Sequence, residues 1–386
     1  MKKKIAILGS TGSIGKTLIE IIKKDKKNFN VILLTAHKNY KEILKQAKIL
    51  KVKNLIITDK KSYLNLSKNK LGKIKIFNNY ESFNNIFNEK IDYVMSSISG
   101  INGLTPTIKI IKFTKKIAIA NKEAIICGWH LIKKDLKKFK TSFIPVDSEH
   151  FSIFYSLQGN KVSNVNKIYL TASGGPLINT PKNKFKDIKI SEAINHPNWK
   201  MGKKISVDSA TMMNKVFEII EAKKIFNIKY ESLDILVHPS SYVHAIIKFN
   251  DGMVKIIAHD TNMKIPIFNS LYENQNKKIK TDKLNLNKLN LLNLKKVDLN
   301  KFPSIKIIKK LKNKESALET VIVLANDILV NHFLLKKIYF TDIVRLLQKL
   351  ISMKKFNNYR KSKLKNINSI ILLNNQLQST INKMIA

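Results

Sequence analysis

Four apolar residues, Ile5-Ala6-Ile7-Leu8, stand between a lysine run and a glycine-rich turn, and beyond that turn apolar residues return at helical spacing. The alternation continues along the first part of the chain. Short β-rich runs at Lys4–Leu8, Val31–Thr35, Asn54–Thr58, Tyr93–Ser97 and Ile117–Ala120 alternate with amphipathic runs at Ser13–Lys24, Tyr40–Leu50 and Thr105–Lys112. Such an order predicts a doubly wound, mostly parallel sheet of the Rossmann-like α/β kind. Beyond Pro145 the pattern changes: Lys167–Ala172, Asp234–Val237, Tyr242–Phe249 and Met253–His259 read as strands of a mixed sheet, the last two joined by a hairpin at Asn250-Asp251-Gly252. Met212–Phe226 reads as a helix within this α+β region. From Asn274 to about Lys301 the chain is biased to Lys, Asn and Leu with little periodicity, as in a surface connector. Glu315–Leu334, Thr341–Lys354 and Ser369–Ile385 then read as a small bundle of amphipathic helices. The expected division is a cofactor domain over 1–146, a catalytic domain over 147–273, a connector over 274–300 and a C-terminal helical domain over 301–386.

With 386 residues, 44% of them hydrophobic and 25% charged, the chain has material for several cores and is not a disordered sequence. A single cysteine, Cys127, excludes a disulfide framework or a cysteine-rich zinc module and fits a reducing compartment. The net charge of +44 has the sign of a nucleic-acid binder, but among the 71 basic residues only Arg345 and Arg360 are arginine. Selection for phosphate forks and base edges recruits arginine, so the excess reads as a solvated lysine surface with no specific nucleic-acid partner. The apolar run after Met1-Lys2-Lys3-Lys4 is shorter than the roughly 7–15 residues of a secretory core. Nor does any window reach the roughly 20 apolar residues of a membrane span. The expectation is a cytoplasmic protein that does not enter a membrane.

Gly9-Ser10-Thr11-Gly12-Ser13-Ile14-Gly15 follows a predicted strand and opens a predicted helix. Glycines permit a tight turn and close backbone approach, and the helix N-terminus offers N–H groups to a pyrophosphate. The second strand ends in His37-Lys38-Asn39, where an NAD binder would place an acid for the ribose hydroxyls. A cation there suits the 2′-phosphate of NADPH. Asn121-Lys122-Glu123 follows Ile117–Ala120 at the carboxyl end of the sheet, where Lys122 either serves a ligand or merely begins a surface helix.

Asp147-Ser148-Glu149 follows the strand-like Phe143–Val146. Read as extended chain, its two carboxylates share a side, a plausible seat for a hard divalent cation. An ordinary acidic loop is the alternative, although only 27 acids serve the whole chain. On the helix after Ser206-Val207-Asp208-Ser209-Ala210-Thr211-Met212-Met213, Asn214 and Glu218 lie at i,i+4 and Lys215 and Glu218 at i,i+3. One face therefore offers an amide, an ammonium and a carboxylate, which suits a phosphorylated, metal-chelated substrate or else is a solvated Lys–Glu pair. Ser173-Gly174-Gly175-Pro176 ends a strand in a loop able to bind phosphate or simply to turn. Ser191 to Met201, with His196-Pro197-Asn198-Trp199, has the make-up of an exposed lid carrying an aromatic.

Together these motifs resemble one family, the 1-deoxy-D-xylulose-5-phosphate reductoisomerases. The likeness runs in order from the glycine turn through Ala120-Asn121-Lys122-Glu123, Pro145-Val146-Asp147-Ser148-Glu149-His150, Ser173–Pro176, His196–Trp199, Lys204–Lys215, Glu221-Ala222 and Val237-His238-Pro239. It recurs at Ala325-Asn326-Asp327 and Phe340-Thr341-Asp342-Ile343. The resemblance implies NADPH and Mg²⁺ or Mn²⁺ as cofactors, a phosphorylated sugar substrate and a homodimer. It implies metal ligation by Asp147, Glu149 and Glu218, and substrate contacts from Ser148, Lys122, Ser173, His196, Trp199, Ser209, Asn214, Lys215 and Glu218. Cofactor contacts fall to Thr11, Gly12, Ser13, Ile14, Lys38, Asn39, Asn121, Lys122, Glu123, Met201 and Gly202, and chemistry to Glu149, Lys122 and His196. The implied reaction is a carbon-skeleton rearrangement followed by hydride transfer to an aldehyde. The likeness departs from the family pattern at His37, Val216-Phe217, Ser240, the segment His259-Asp260-Thr261-Asn262-Met263, Val323 and Asp327. A semialdehyde or homoserine dehydrogenase would share the glycine turn without needing the Asp-x-Glu and helical Glu set.

Overall fold

A computed structural model describes residues 1–68, 72–273 and 277–385. The chain divides into two compact units, residues 1–147 with 263–279, and residues 148–262 with 280–386.

The first unit is built on a seven-stranded sheet in the order β4-β3-β2-β1-β5-β6-β7. Its strands are β1 (Lys3–Leu8), β2 (Phe29–Ala36), β3 (Asn54–Ile57), β4 (Lys75–Phe77), β5 (Ile91–Ser96), β6 (Thr114–Ile119) and β7 (Ser142–Pro145), all paired in parallel. Parallel strands covered by helices on both faces must be apolar on both, and Ile5, Ala6, Ile7 and Leu8 are accordingly all fully buried. Strand order reverses at β1, which has β2 on one side and β5 on the other. A crevice opens at the carboxyl ends of such a pair, so the turn after β1 lies where doubly wound sheets bind ligands. The α/β expectation holds in type and order.

The helix Lys264–Tyr272, which the sequence reading left unassigned inside the catalytic region, packs with the first unit. Ile267, Leu271 and Tyr272 are buried in the core that holds Ile5, Ile7 and Leu18. Tyr93 Oη and Ser270 Oγ meet at 2.8 Å, and Tyr272 Oη donates to Asp25 Oδ2 at 2.8 Å. The expected boundary at 273 therefore does not coincide with this partition, because apolar cover for the first sheet comes from a later stretch of chain. Residues 274–276, at the start of the expected connector, lie outside the described residues, as does 386.

The second unit holds a mixed sheet of β8 (Val165–Ala172), β9 (Leu233–Val237), β10 (Val243–Phe249), β11 (Val254–Ala258) and β12 (Lys295–Lys296), in the order β11-β10-β8-β9-β12. The Asn250-Asp251-Gly252 hairpin forms as expected, with Gly252 at φ +87 and Phe249 N donating to Met253 O at 2.9 Å. The connector is less bare than its composition implies, since Lys295–Lys296 pair with β9. Helices Leu318–Leu334, Phe340–Ser352 and Ile367–Ile385 form the bundle. They belong to the same compact unit as the mixed sheet. Leu318–Leu334 is buried on nearly every side, so the other two helices cannot cover it alone. Its remaining face meets the helix Lys203–Ala210, where buried Asn326 donates to buried Asp208 at 2.7 Å and Lys204 bridges Asp208 and Asp327 at 2.9 and 2.7 Å. Among the described residues no helix is long and apolar enough to cross a membrane.

Candidate active site

In the first unit, Gly9 adopts φ +80, and its N–H donates to Thr35 Oγ1 at 2.9 Å. A Cβ on Gly15 would stand 2.5 Å from Gly9 O, so helix and turn approach too closely for any side chain there. Gly12 is the N-cap of Ser13–Lys24 and supplies no side-chain cap, and both Gly12 and Ser13 are exposed. The first-turn N–H groups thus present a cradle for an anionic group. Thr11 and Ile14 flank it, half-buried. His37, Lys38 and Asn39 are exposed after β2. Asn39 has a structural duty as well, accepting from Glu42 N at 3.2 Å to cap the next helix, and His37 Nδ1 pairs with Thr58 Oγ1 at 2.9 Å.

Asn121 caps the helix Lys122–Lys138, its Oδ1 accepting from Ala124 N at 2.7 Å while its amide donates to Gly100 O at 2.8 Å. Lys122 and Glu123 are buried in the first turn, and Lys122 Nζ lies 3.5 Å from Asp147 Oδ2. Lys122 is therefore not on a solvated surface.

Asp147-Ser148-Glu149 is not extended as its sequence reading assumed. Ser148–Ser156 is helical, and Glu149 lies in its first turn. Side chains two apart do not share a face in that setting, so the convergence of carboxylates has another cause: Glu218 is brought in from the helix Met213–Phe226. That helix starts abruptly because Met212 takes a left-handed φ of +60 and breaks it from Lys203–Ala210. Glu218 and Lys215 are both buried. Lys215 Nζ donates to Glu149 Oε1 at 2.7 Å, to the Thr171 carbonyl at 2.6 Å, and to Glu218 Oε2. The Asn214 amide donates to the other Glu218 oxygen, and Ser148 Oγ donates to Glu149 Oε2 at 2.6 Å. Burial alone would lower the Lys215 pKa, but the carboxylates of Glu149 and Glu218 outweigh it and raise the ammonium to about 12. Asp147, two residues from Glu149 along the chain, completes a set of three carboxylates whose ligand oxygens lie within 4.8 Å of one another. All donors in this set are oxygens, as a hard divalent ion requires.

The loop after β8 places the remaining polar groups. Gly174 and Gly175 take φ +84 and +70, and a Cβ on Gly175 would meet Ser209 O at 2.5 Å, so this loop is pressed onto the end of the helix that carries Ser209. Ser173 and Ser209 are both half-buried. Ser173 Oγ accepts from Gly175 N at 3.0 Å and meets His196 Nε2 at 3.0 Å. His196 Nδ1 accepts from the backbone N–H of Asn198 and of Trp199, both at 3.1 Å. A nitrogen accepting two N–H bonds carries no proton, so Nε2–H donates to Ser173 and the ring is neutral. Burial agrees, pushing the imidazole down to about 4.

The expected lid is docked rather than free. Asn198 Nδ2 donates to Pro239 O at 2.6 Å and to Ser241 Oγ at 3.0 Å, and half-buried Trp199 meets the His244 ring edge to face, 6.1 Å between centroids at 72°. Met201 is half-buried, and Gly202 caps Lys203–Ala210. Ser240 Oγ pairs with His238 Nε2 at 2.8 Å, and Val216 is fully buried.

Four contributors have no role among the expectations drawn from the sequence. The Thr171 carbonyl is backbone and carries no residue signal. His150 is fully buried and binds Glu218 O at 2.9 Å, with Glu221 Oε2 3.8 Å from its other nitrogen. His244 and His259 stack with centroids 3.7 Å apart. The available signal was that several of the chain's eight histidines lie in otherwise apolar runs.

The first unit is that of a dinucleotide-binding α/β enzyme, and Asp147, Glu149 and Glu218 form a carboxylate set of the kind that serves a divalent ion. Residues 5–128 match the family described as 1-deoxy-D-xylulose 5-phosphate reductoisomerase, residues 143–226 its C-terminal domain, and residues 260–380 a DXP reductoisomerase C-terminal domain. The reductoisomerase of Pelagibacter ubique (strain HTCC1062) is 58% identical over 385 residues, covering 99% of each chain, and that of Wolbachia pipientis wMel is 40% identical over 363 residues, covering 92% of each. Among solved structures, the Zymomonas mobilis enzyme in complex with NADPH aligns with a TM-score of 0.89 at 29% identity, over 100% of this chain and 99% of that one. A DOX-P reductoisomerase in complex with NADPH, fosmidomycin and magnesium aligns with a TM-score of 0.92 at 29% identity, over 99% and 98%. The chain belongs to the 1-deoxy-D-xylulose 5-phosphate reductoisomerase family.

Proposed function

We propose that this chain rearranges 1-deoxy-D-xylulose 5-phosphate and reduces the resulting aldehyde to 2-C-methyl-D-erythritol 4-phosphate, a step of non-mevalonate isoprenoid precursor synthesis. The observation that carries the reading is the cluster of half-buried Glu149 with buried Glu218 and Lys215: its carboxylates already draw one cation into their midst. When bound, Mg²⁺ or Mn²⁺ held by Asp147, Glu149 and Glu218 supplies Lewis-acid stabilisation of the enediolate-like charge that rearrangement generates. NADPH, held at Thr11, Gly12, Ser13 and Ile14 with Lys38 and Asn39 toward the 2′-phosphate, supplies the hydride.

Each side chain then has a task that its surroundings support. Glu149, with Ser148 donating to one oxygen, is the group that takes the substrate hydroxyl proton. Lys122, buried and beside Asp147, contacts the substrate's oxygens. Ser173, Ser209, Asn214 and Lys215 grip the phosphate, the last two from the first turn of a helix, where the dipole favours an anion. His196 is a neutral donor that orients the Ser173 hydroxyl, and Trp199 closes the pocket against water. Asn121 and Glu123 shape the cofactor side, and Met201 and Gly202 supply the nicotinamide contact.

The functional assembly is a homodimer. β11 is an edge strand on which Val254 and Ile256 project on one face and are 49% and 46% exposed, a surface that a second copy would cover. Sedimentation velocity checks this, a monomer at micromolar concentration being the contrary result. Cys127, the chain's single cysteine, is buried and has no second cysteine with which to form an intramolecular disulfide, which suits the cytoplasm. The activity itself is tested by NADPH oxidation with 1-deoxy-D-xylulose 5-phosphate, with and without chelator. Metal-dependent turnover that disappears in Glu218→Gln supports the assignment, and turnover indifferent to chelator refutes it.

A further inference from the structure

β10 does not run straight past the site. Its pairing with β11 goes from Val243 opposite Ala258 to Ala245 opposite Ile257, so His244 is the extra residue of a β-bulge. A bulge re-aims a side chain that regular alternation would send elsewhere. Here it brings the His244 ring to Trp199. The bulge is closed from the far side by His259, the residue after β11. His259 N donates to Tyr242 O at 3.0 Å, and its carbonyl accepts from His244 Nε2 at 3.2 Å. The two imidazoles lie nearly parallel, 3.7 Å between centroids at 19°. His259 Nδ1 donates to Asp260 O at 2.8 Å, which fixes its ring and leaves the buried Nε2 without a hydrogen-bond partner among the described residues. The ring is thus held by the Asp260 bond and by its stack on His244.

We propose that His259 is a positioning residue: its ring clamps His244 in the bulge and through it fixes Trp199, and with Trp199 the substrate-phosphate end of the site. The relay is short. Trp199 N donates to His196 Nδ1, His196 Nε2 donates to Ser173 Oγ, and Ser173 opens the glycine loop. Release of His244 lets the tryptophan ring wander and loosens the one backbone donor that moves with it. The kinetic part of this inference rests on the assignment of Ser173 to the phosphate; the structural part does not.

The test labels the whole chain with 5-fluorotryptophan, which gives one ¹⁹F resonance from each of Trp129 and Trp199, assigned by Trp199→Phe. His259→Leu keeps side-chain volume but no flat ring, His259→Ala is read alongside it, and His259→Phe restores a flat ring without either nitrogen. The Trp199 resonance should shift and narrow in the Leu and Ala variants and return in the Phe variant, with Trp129 unmoved as the mark of an intact fold. In turnover, loss of one stacked ring pair predicts a KM for the phosphorylated substrate raised about threefold to tenfold, with kcat within about twofold of the parent. The Phe variant should recover that KM. A Trp199 resonance unmoved in both ring-less variants overturns the clamp whatever the activity. A shifted resonance in the variants when the parent itself turns over no 1-deoxy-D-xylulose 5-phosphate upholds the clamp and counts against the reductoisomerase assignment instead.

Discussion

Removing the Lys215 ammonium is the most revealing single perturbation, because the structure gives that charge two partners and little water. Its side chain is 5% exposed, Glu218 1% and Glu149 13%. Lys215→Met keeps the stem and leaves two carboxylates facing each other with their shared donor gone. Breaking a buried ion pair from one side costs about 3–5 kcal/mol, and the partial access of water to Glu149 argues for the lower end, about 3 kcal/mol. For a unit of this size each kcal/mol moves Tm by about 2–4 °C, so the variant in excess chelator should melt about 6–12 °C below the parent. A divalent ion binding the carboxylates takes over the missing charge. At an ion concentration of about a hundred times its Kd the variant gains about 2.7 kcal/mol over its own stability in chelator, nearly the size of the loss. Thermal melts followed by circular dichroism, in chelator and in millimolar MgCl₂, are the assay. The reasoning fails if MgCl₂ does not raise the variant's own Tm above its value in chelator, for then the carboxylates are not a divalent-ion site. It fails equally if the variant in chelator melts with the parent, since the cluster would then carry no strain to relieve.

Other consequences are simpler to state. Glu218→Gln removes one carboxylate from the set of three and should lower metal-supported kcat by at least about a hundredfold at saturating NADPH, read as absorbance loss; a variant of near-parental rate refutes its role. Gly15→Ala places a Cβ 2.5 Å from Gly9 O, so the cofactor turn must shift and the NADPH Kd should rise at least about tenfold, about 1.4 kcal/mol, in a fluorescence titration. An unchanged Kd would mean that the turn does not hold the cofactor. His196, lowered by burial from 6.5 to about 4, binds fewer protons in the folded chain than in the unfolded one between those values. Its contribution to stability is complete above pH 6.5 and is lost as pH falls toward 4, so Tm measured from pH 7 to 5 should decline, and His196→Gln should flatten part of that slope. An identical slope in the variant would count against a neutral, buried His196.

The elements that the sequence made legible are those with one dominant cause. β1 and the helix Ser13–Lys24 follow from an apolar run and a helical stripe on either side of a glycine turn, and the structure returns that helix at the expected residues. The hairpin at Asn250-Asp251-Gly252 follows from backbone chemistry that only a few residues allow. What the sequence hid is set by partners distant along the chain. Nothing local to Lys264–Tyr272 says that its apolar face covers the first sheet, because the core it joins is made by residues of β1, the helix Ser13–Lys24 and β5, far earlier in the chain. His244 sits in a strand whose alternation gives it no special direction, and only the register slip against β11 aims it.

Lys215 is the sharpest case. Its spacing from Glu218 was visible on paper, and that spacing alone describes countless solvated pairs. Two further facts change its meaning: Glu149 arrives from a helix 66 residues away, and the Thr171 carbonyl closes the third side. Burial then turns an ordinary pair into a site, because charges that water would screen must now be answered by one another. A sequence lists which charges are present, but the strength of a site depends on which of them the fold removes from water together. That is why the candidate residues were legible here one by one, whereas the cluster, with its shared ammonium, was not.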